Sequence, residues 1–97
     1  MAQVVELEVS GVALDSGSKV TVGSDSTLVA PARRRRAVIF ANPDESEIIW
    51  LKLAAEGAAV GEGIPVFPRS GVVIRDFGGA VSAVCTSGGK DLSRAEF

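Results

Sequence analysis

The sequence predicts an all-β domain: a small antiparallel β-sandwich or barrel, jelly-roll-like, with an N-terminal arm or added edge strands. Three observations carry this. Apolar residues recur with a period of two or in short β-branched runs. Turn clusters of Gly, Pro, Asp and Ser recur about every ten residues. No stretch shows a convincing helical pattern of apolar residues. A chain of 97 residues has room for one hydrophobic core. One compact domain is therefore expected, with residues 1–32 as a strand-and-arm segment and 33–97 as the sandwich core.

Taken in order, Val5, Leu7 and Val9 alternate with Glu6 and Glu8, which reads as a half-buried strand that residues 12–14 continue after Gly11. Residues 15–18 (Asp-Ser-Gly-Ser) form a turn cluster. Val20 and Val22 alternate with Lys19 and Thr21 as a second strand, residues 23–26 turn again, and the strand 27–30 stops at Pro31. Residues 37–41 are continuously apolar and β-branched, so they read as a central strand buried on both faces. Pro43 starts a turn, and 47–53 form the next strand, for which an antiparallel hairpin with 37–41 is the natural pairing. Residues 54–63 are small and Gly-rich, a loop or one weak helical turn. Pro65 and Pro68 restrict 63–68 to an edge or crossover. Strands at 71–75 and 80–86 follow, then a hairpin turn at 87–90 and a last strand at 91–97.

The composition is globular, at 46% hydrophobic, 23% charged and 5% aromatic. Ten basic against twelve acidic side chains give a net charge of -2, so no global basic field argues for nucleic acid. Charges interrupt every apolar run, which argues against a membrane span. The N-terminus lacks a basic region and its apolar run is broken by Glu6 and Glu8, so no signal peptide is expected and assembly in the cytosol is. With no His and a single Cys, an ordinary zinc site and a disulfide framework are excluded. Cys85 lies in an apolar strand and reads as a buried, inert thiol.

Several local patterns resemble chemistry without its context. Ser16-x-x-Lys19 and Ser87-x-x-Lys90 match an acyl-transfer pattern that needs a helix to bring Lys to Ser, and both fall in turns. Asp44, Glu45 and Glu47 lack calcium-loop spacing and read as a solvated turn. Gly61-Glu62-Gly63 has no following Lys-Ser/Thr and opens no helix, so it is no phosphate loop. The expectation is a chain that is not an enzyme and takes no cofactor and no metal.

The run Arg33-Arg34-Arg35-Arg36 is the loudest feature. In extended chain the four alternate faces, two to each side. They suit docking to an acidic protein surface or to phosphates, or a solvated strand entry whose stems pack on apolar neighbours. No stacking aromatics and no groove helix accompany them, so nucleic acid is not expected as a partner. Trp50, amid Ile48, Ile49, Leu51 and Leu53, reads as core, with an interface anchor as the alternative. The candidate partner interface comprises Arg33, Arg34, Arg35 and Arg36 with Val5, Leu7 and Val9.

From Arg36 onward the chain resembles small virion proteins of tailed bacteriophages. An Arg precedes an apolar strand ending in Asn-Pro (Arg36 to Pro43), and a strand with a central aromatic follows (Ile48-Ile49-Trp50-Leu51). Next come Gly63-Ile64-Pro65-Val66-Phe67-Pro68 and a strand and turn from Gly79 to Gly88. The chain closes near Glu96. The resemblance covers about two-thirds of the chain and rests on the order and spacing of these pieces. It implies a decoration (cement) protein on the capsid exterior, or the base of a head fibre or spike, with a tail-associated, glycan-binding adhesion module as the rival. It further implies the major capsid protein as partner, a homotrimer, a possible head fibre or spike protein as second partner, no membrane, and synthesis in the host bacterial cytoplasm.

Overall fold

The computed structural model describes residues 13–97. Eight strands follow one another: β1 (Asp15–Val22), β2 (Thr27–Ala30), β3 (Ala37–Asn42), β4 (Ile49–Lys52), β5 (Ile64–Val66), β6 (Ser70–Arg75), β7 (Val81–Val84) and β8 (Lys90–Glu96). They form two four-stranded antiparallel sheets, ordered β1-β8-β3-β6 and β2-β7-β4-β5. The pairs β1–β8, β2–β7, β3–β6 and β4–β5 are those of one long antiparallel ribbon bent back at the β4–β5 loop. The pairings β3–β8 and β4–β7 wrap that ribbon into two sheets. This strand order is that of the eight-stranded jelly roll.

Strand alternation builds the core between the sheets. Val22, Val38, Phe40 and Leu92 from the first sheet meet Val29, Ile49, Leu51, Val66, Val81, Ala83 and Cys85 associated with the second. All are buried, and Phe40 is the largest. Burial also pushes the Cys85 thiol up, which keeps it protonated and unreactive.

Several sequence expectations need correction. The expected 37–41 and 47–53 hairpin does not form: β3 and β4 lie in different sheets. The connection turns across the end of the sandwich because Asn42 is drawn inward. Its side chain donates to the carbonyls of Glu47 (2.7 Å) and Val66 (2.9 Å) and accepts from the Asp44 N–H (3.0 Å). Nor is 87–90 a hairpin turn, since β7 and β8 also belong to opposite sheets. Gly88 and Gly89 both take positive φ (71° and 68°), which carries the chain across the same end.

Residues 15–18 are not a turn between strands but the bulged start of β1. Asp15 accepts from the Gly17 N–H and the Ser18 hydroxyl, as in an Asx turn, and the register with β8 shifts there. Strand β3 is central in its sheet, but only Val38, Phe40 and Asn42 point into the core; Ile39 and Ala41 are half-buried on the outer face.

Strands β1 and β2 supply one edge of each sheet, and Val22, Val29 and Ala30 are core residues. The described part of the expected N-terminal segment is therefore built into the sandwich as added edge strands. Pro65 sits on the edge strand β5, as its missing N–H requires. Gly63 precedes it at φ 94°, where a Cβ would lie 2.2 Å from the Leu51 carbonyl oxygen.

Candidate functional site

The arginine run splits by face. Its backbone is fixed first: Arg33 N–H donates to the Gly78 carbonyl (3.0 Å), and the Asp76 N–H donates to Arg36 O (2.7 Å). Arg33 and Arg35 then turn toward Glu96, which is fully buried. The Arg35 side chain is enclosed as well and donates to the carbonyls of Pro31 (2.9 Å) and Gly79, with Nη1 3.3 Å from Glu96 Oε1. Arg33 Nη2 donates to Glu96 Oε2. Arg35 is thus removed from any partner surface, and Arg33 is committed to a fold contact. Arg34 and Arg36 are exposed. Val5, Leu7 and Val9 lie outside the described residues.

At the opposite end, the acidic turn is wired rather than freely solvated. Asp44 accepts from the N–H groups of Ser46 (3.2 Å) and Glu47 (2.8 Å) and pairs with Lys90 (3.2 Å). Glu47 accepts from the Ser87 N–H (2.6 Å), and Glu45 pairs with Arg69 (2.9 Å). These bonds tie the β3–β4 crossover to the β7–β8 and β5–β6 crossovers. Backbone donors hold the Asp44 carboxyl below its ordinary range, with Lys90 adding to the effect. The Ser87 donors do the same for Glu47. Asp44 raises Lys90, first by hydrogen bond and then by charge.

The signs fix a prediction. Stability from the two carboxylates is present above their unfolded values, about 4, and is lost as pH falls through the lower folded values. Stability from Lys90 is present below about 10.4 and is lost as pH rises through its higher folded value. The midpoint of urea unfolding should therefore fall at both acid and alkaline ends, and Lys90→Met should remove the alkaline fall contributed by this lysine. An unchanged alkaline fall in Lys90→Met would take the lysine out of the account.

Among the described residues no group of His, Cys, Asp and Glu is arranged to hold a metal ion, and no helix is long and apolar enough to cross a membrane. The lysines of the two Ser-x-x-Lys patterns face carboxylates: Lys19 lies 3.7 Å from Asp91, and Lys90 lies 3.2 Å from Asp44.

The outer face of the first sheet is the surface with the clearest capacity to bind. Register places Ile39 beside Ala95 and Val73, and Ala41 beside Ser93 and Gly71. These small and apolar residues line two adjoining shallow grooves. One, of about 410 Å³, reaches Gly17 and Lys19; the other, of about 440 Å³, lies along β3 and β6. Ile39, Ala41, Val73 and Ala95 are only half-buried, and Lys19, Asp91 and Arg75 stand at the rim. No titratable group stands among the floor residues Ile39, Ala41, Gly71, Val73, Ser93 and Ala95. Such a face fits an apolar counter-surface.

Trp50 also departs from expectation. Ile49 and Leu51 take the inward phase of β4, so Trp50 points outward, half-buried opposite Pro65 and Val84. A continuous apolar run does not reveal which phase faces the core.

Sequence reasoning did not single out Asn42, Arg94 or the Arg–Glu96 pairing. The available signal was parity in the last strand, where Leu92, Arg94 and Glu96 share one face. Arg94 reaches Asp15 (3.0 Å) and the Val29 carbonyl (2.6 Å), linking β8 to β1 and to β2 in the other sheet. Comparison with family models, curated proteins and solved structures gives no significant match.

Proposed function

We propose that this chain is a structural virion protein that binds the outside of a phage-type capsid as a decoration or cement protein. The observation that carries the reading is the outer face of the first sheet, whose centre is built from small and apolar residues, half-buried at Ile39, Ala41, Val73 and Ala95. Bridging capsid subunits through such a face adds contacts that must break before the subunits separate. That mechanism needs binding alone.

Pieces of sequence that carry the resemblance touch one another in the fold. Asn42 of the first piece donates to Val66 of the third. The closing Glu96 is paired with Arg33 and Arg35, just ahead of the first piece. These residues hold the fold together, and the capsid role is proposed on top of the fold. The major capsid protein is the proposed partner and a homotrimer the proposed state. Within the arginine run, Arg34 and Arg36 are exposed and not directed at Glu96, and they would meet an acidic surface.

The test is co-sedimentation with mature, undecorated heads, comparing the native chain with Ile39→Asp. The substitution sits on the half-buried outer face and spares the core. It should weaken head binding by about tenfold or more, the scale of a central interface residue, with little change in the urea midpoint. Undiminished binding would remove this face from the mechanism. Binding of the isolated chain to host glycans in place of heads would favour the adhesion reading, for which exposed Phe67 and half-buried Trp50 are available aromatic surface.

A further inference from the structure

We propose that the β4–β5 connection, residues 53–63, is a strap that lifts as a unit from the outer face of the second sheet, with Ser26 as its latch. Register places Leu28, Trp50, Lys52, Ser82 and Val84 on the outward side, because Ile49, Leu51, Val81 and Ala83 take the core side. Outward side chains of a bare sheet are exposed, yet Ser82 is 0% and Val84 3% exposed.

The course of the strap accounts for this burial. It leaves β4 after Lys52 and enters β5 at Ile64, the register neighbour of Leu51. Its middle is tied elsewhere: the Ala58 N–H donates to Ser26 Oγ at 3.0 Å, directly ahead of β2. The sheet order β2-β7-β4-β5 puts β7, with Ser82 and Val84, between the root of the strap and that latch. Gly57 passes so near Lys52 that a Cβ there would lie 3.0 Å from Nζ, and Lys52 is the register neighbour of Ser82. The strap therefore crosses over β7. Its Ala54, Ala58 and Ala59 are half-buried, whereas Leu53, Glu56, Val60 and Glu62 stay exposed.

The hold is weak. Among the described residues, the Ala58–Ser26 bond is the one hydrogen bond from residues 54–62 to the rest of the chain; the Glu62 N–H bonds within the strap, to the Ala59 carbonyl (3.1 Å). Small alanines give the strap little apolar area to bury. A cavity of about 270 Å³, lined by Lys52, Gly57, Ala59, Glu62 and Gly63, lies at its base. Ser82 Oγ is buried without a hydrogen-bond partner. That cost is borne only while the strap is down, since lifting returns the hydroxyl to water. Lifting bares Ser82 and Val84 alongside Leu28 and Trp50. This sheet is not the one proposed to meet the capsid, so the inference stands apart from that reading.

The experiment labels thiols in the purified full chain under native conditions. Ser82→Cys places a thiol under the strap, and Cys85, buried in the core, is the internal control. Strap lifting bares the first; only parting of the sheets bares the second. A maleimide should label the introduced thiol about tenfold or more faster than Cys85, because local opening costs less than global unfolding. Adding Ser26→Ala should speed labelling of the introduced thiol about fivefold, the scale of one net hydrogen bond, and leave Cys85 unchanged. A second arm needs no added thiol: cleavage after Glu56 by a glutamate-specific protease tracks the lifted population. It should be about fivefold faster in Ser26→Ala, and slower than native in Ser82→Ala, which removes the unpaired hydroxyl and its cost. Equal labelling of the two thiols, no response to Ser26→Ala, or unchanged or faster cleavage in Ser82→Ala would each overturn the proposal.

Discussion

Glu96→Ala should lower the unfolding free energy by about 3–5 kcal/mol, the cost of stripping a buried ion pair of one partner. Small domains of this kind have about 5–10 kcal/mol in total, so the variant should be largely unfolded in mild urea. The cost arises because the Arg35 guanidinium is enclosed, with Pro31 O and Gly79 O as its remaining acceptors. Its Nε has no hydrogen-bond partner even in the native chain. Arg33 matters less, because its side chain is 39% exposed and can turn to water. The account also predicts the sign of a rescue. Arg35→Met combined with Glu96→Leu should be substantially more stable than Glu96→Ala, since the desolvated charge is then gone from both sides. Urea unfolding of the three chains decides the matter. A loss under about 1 kcal/mol in Glu96→Ala would mean that Arg35 escapes to solvent and that the cluster does not hold the end of the sandwich.

Asn42→Ala should cost about 2–4 kcal/mol, taking about 1–3 kcal/mol for each buried group left without its partner. One side chain satisfies three backbone groups there, and its bond to the Val66 carbonyl is buried. Losing it should loosen the β3–β4 crossover and the β5 edge strand together. Amide hydrogen exchange offers the sharper readout. Faster exchange around Asp44 and Glu47, with the β1–β8 ladder unchanged, is the expected pattern. Uniform acceleration across both sheets would mean that Asn42 acts through global stability alone.

The sequence carried the fold class further than the connections. Alternation and turn spacing were enough to read strands at 27–30, 37–41 and 71–75, because those signals are local. The pairing partners were not legible. Two runs separated by a short polar loop look like a hairpin, and only the inward bonds of Asn42 show that the loop crosses between sheets. The Asx turn at Asp15 was legible as turn chemistry, but its use as a bulge depends on the pairing of β1 with β8. The arginines show the same limit. Alternation of Arg33 and Arg35 against Arg34 and Arg36 is a sequence property, whereas the target of Arg33 and Arg35, Glu96, is 63 and 61 residues away and meets them only when β8 lies beside β3. The outer face of the first sheet was hidden for a related reason. A continuous apolar strand reads as buried on both sides, and only the finished sheet reveals that Ile39 and Ala41 stay half-covered.

Copy number on the particle tests the central claim most directly. Purified chain is titrated onto mature, undecorated tailed-phage heads, and bound copies per head are counted at saturation. The account predicts saturation in the tens to hundreds, at a number fixed by the local three-fold positions of the lattice. Absence of binding to heads, or saturation at six or twelve copies as at a head–tail joint, would contradict it.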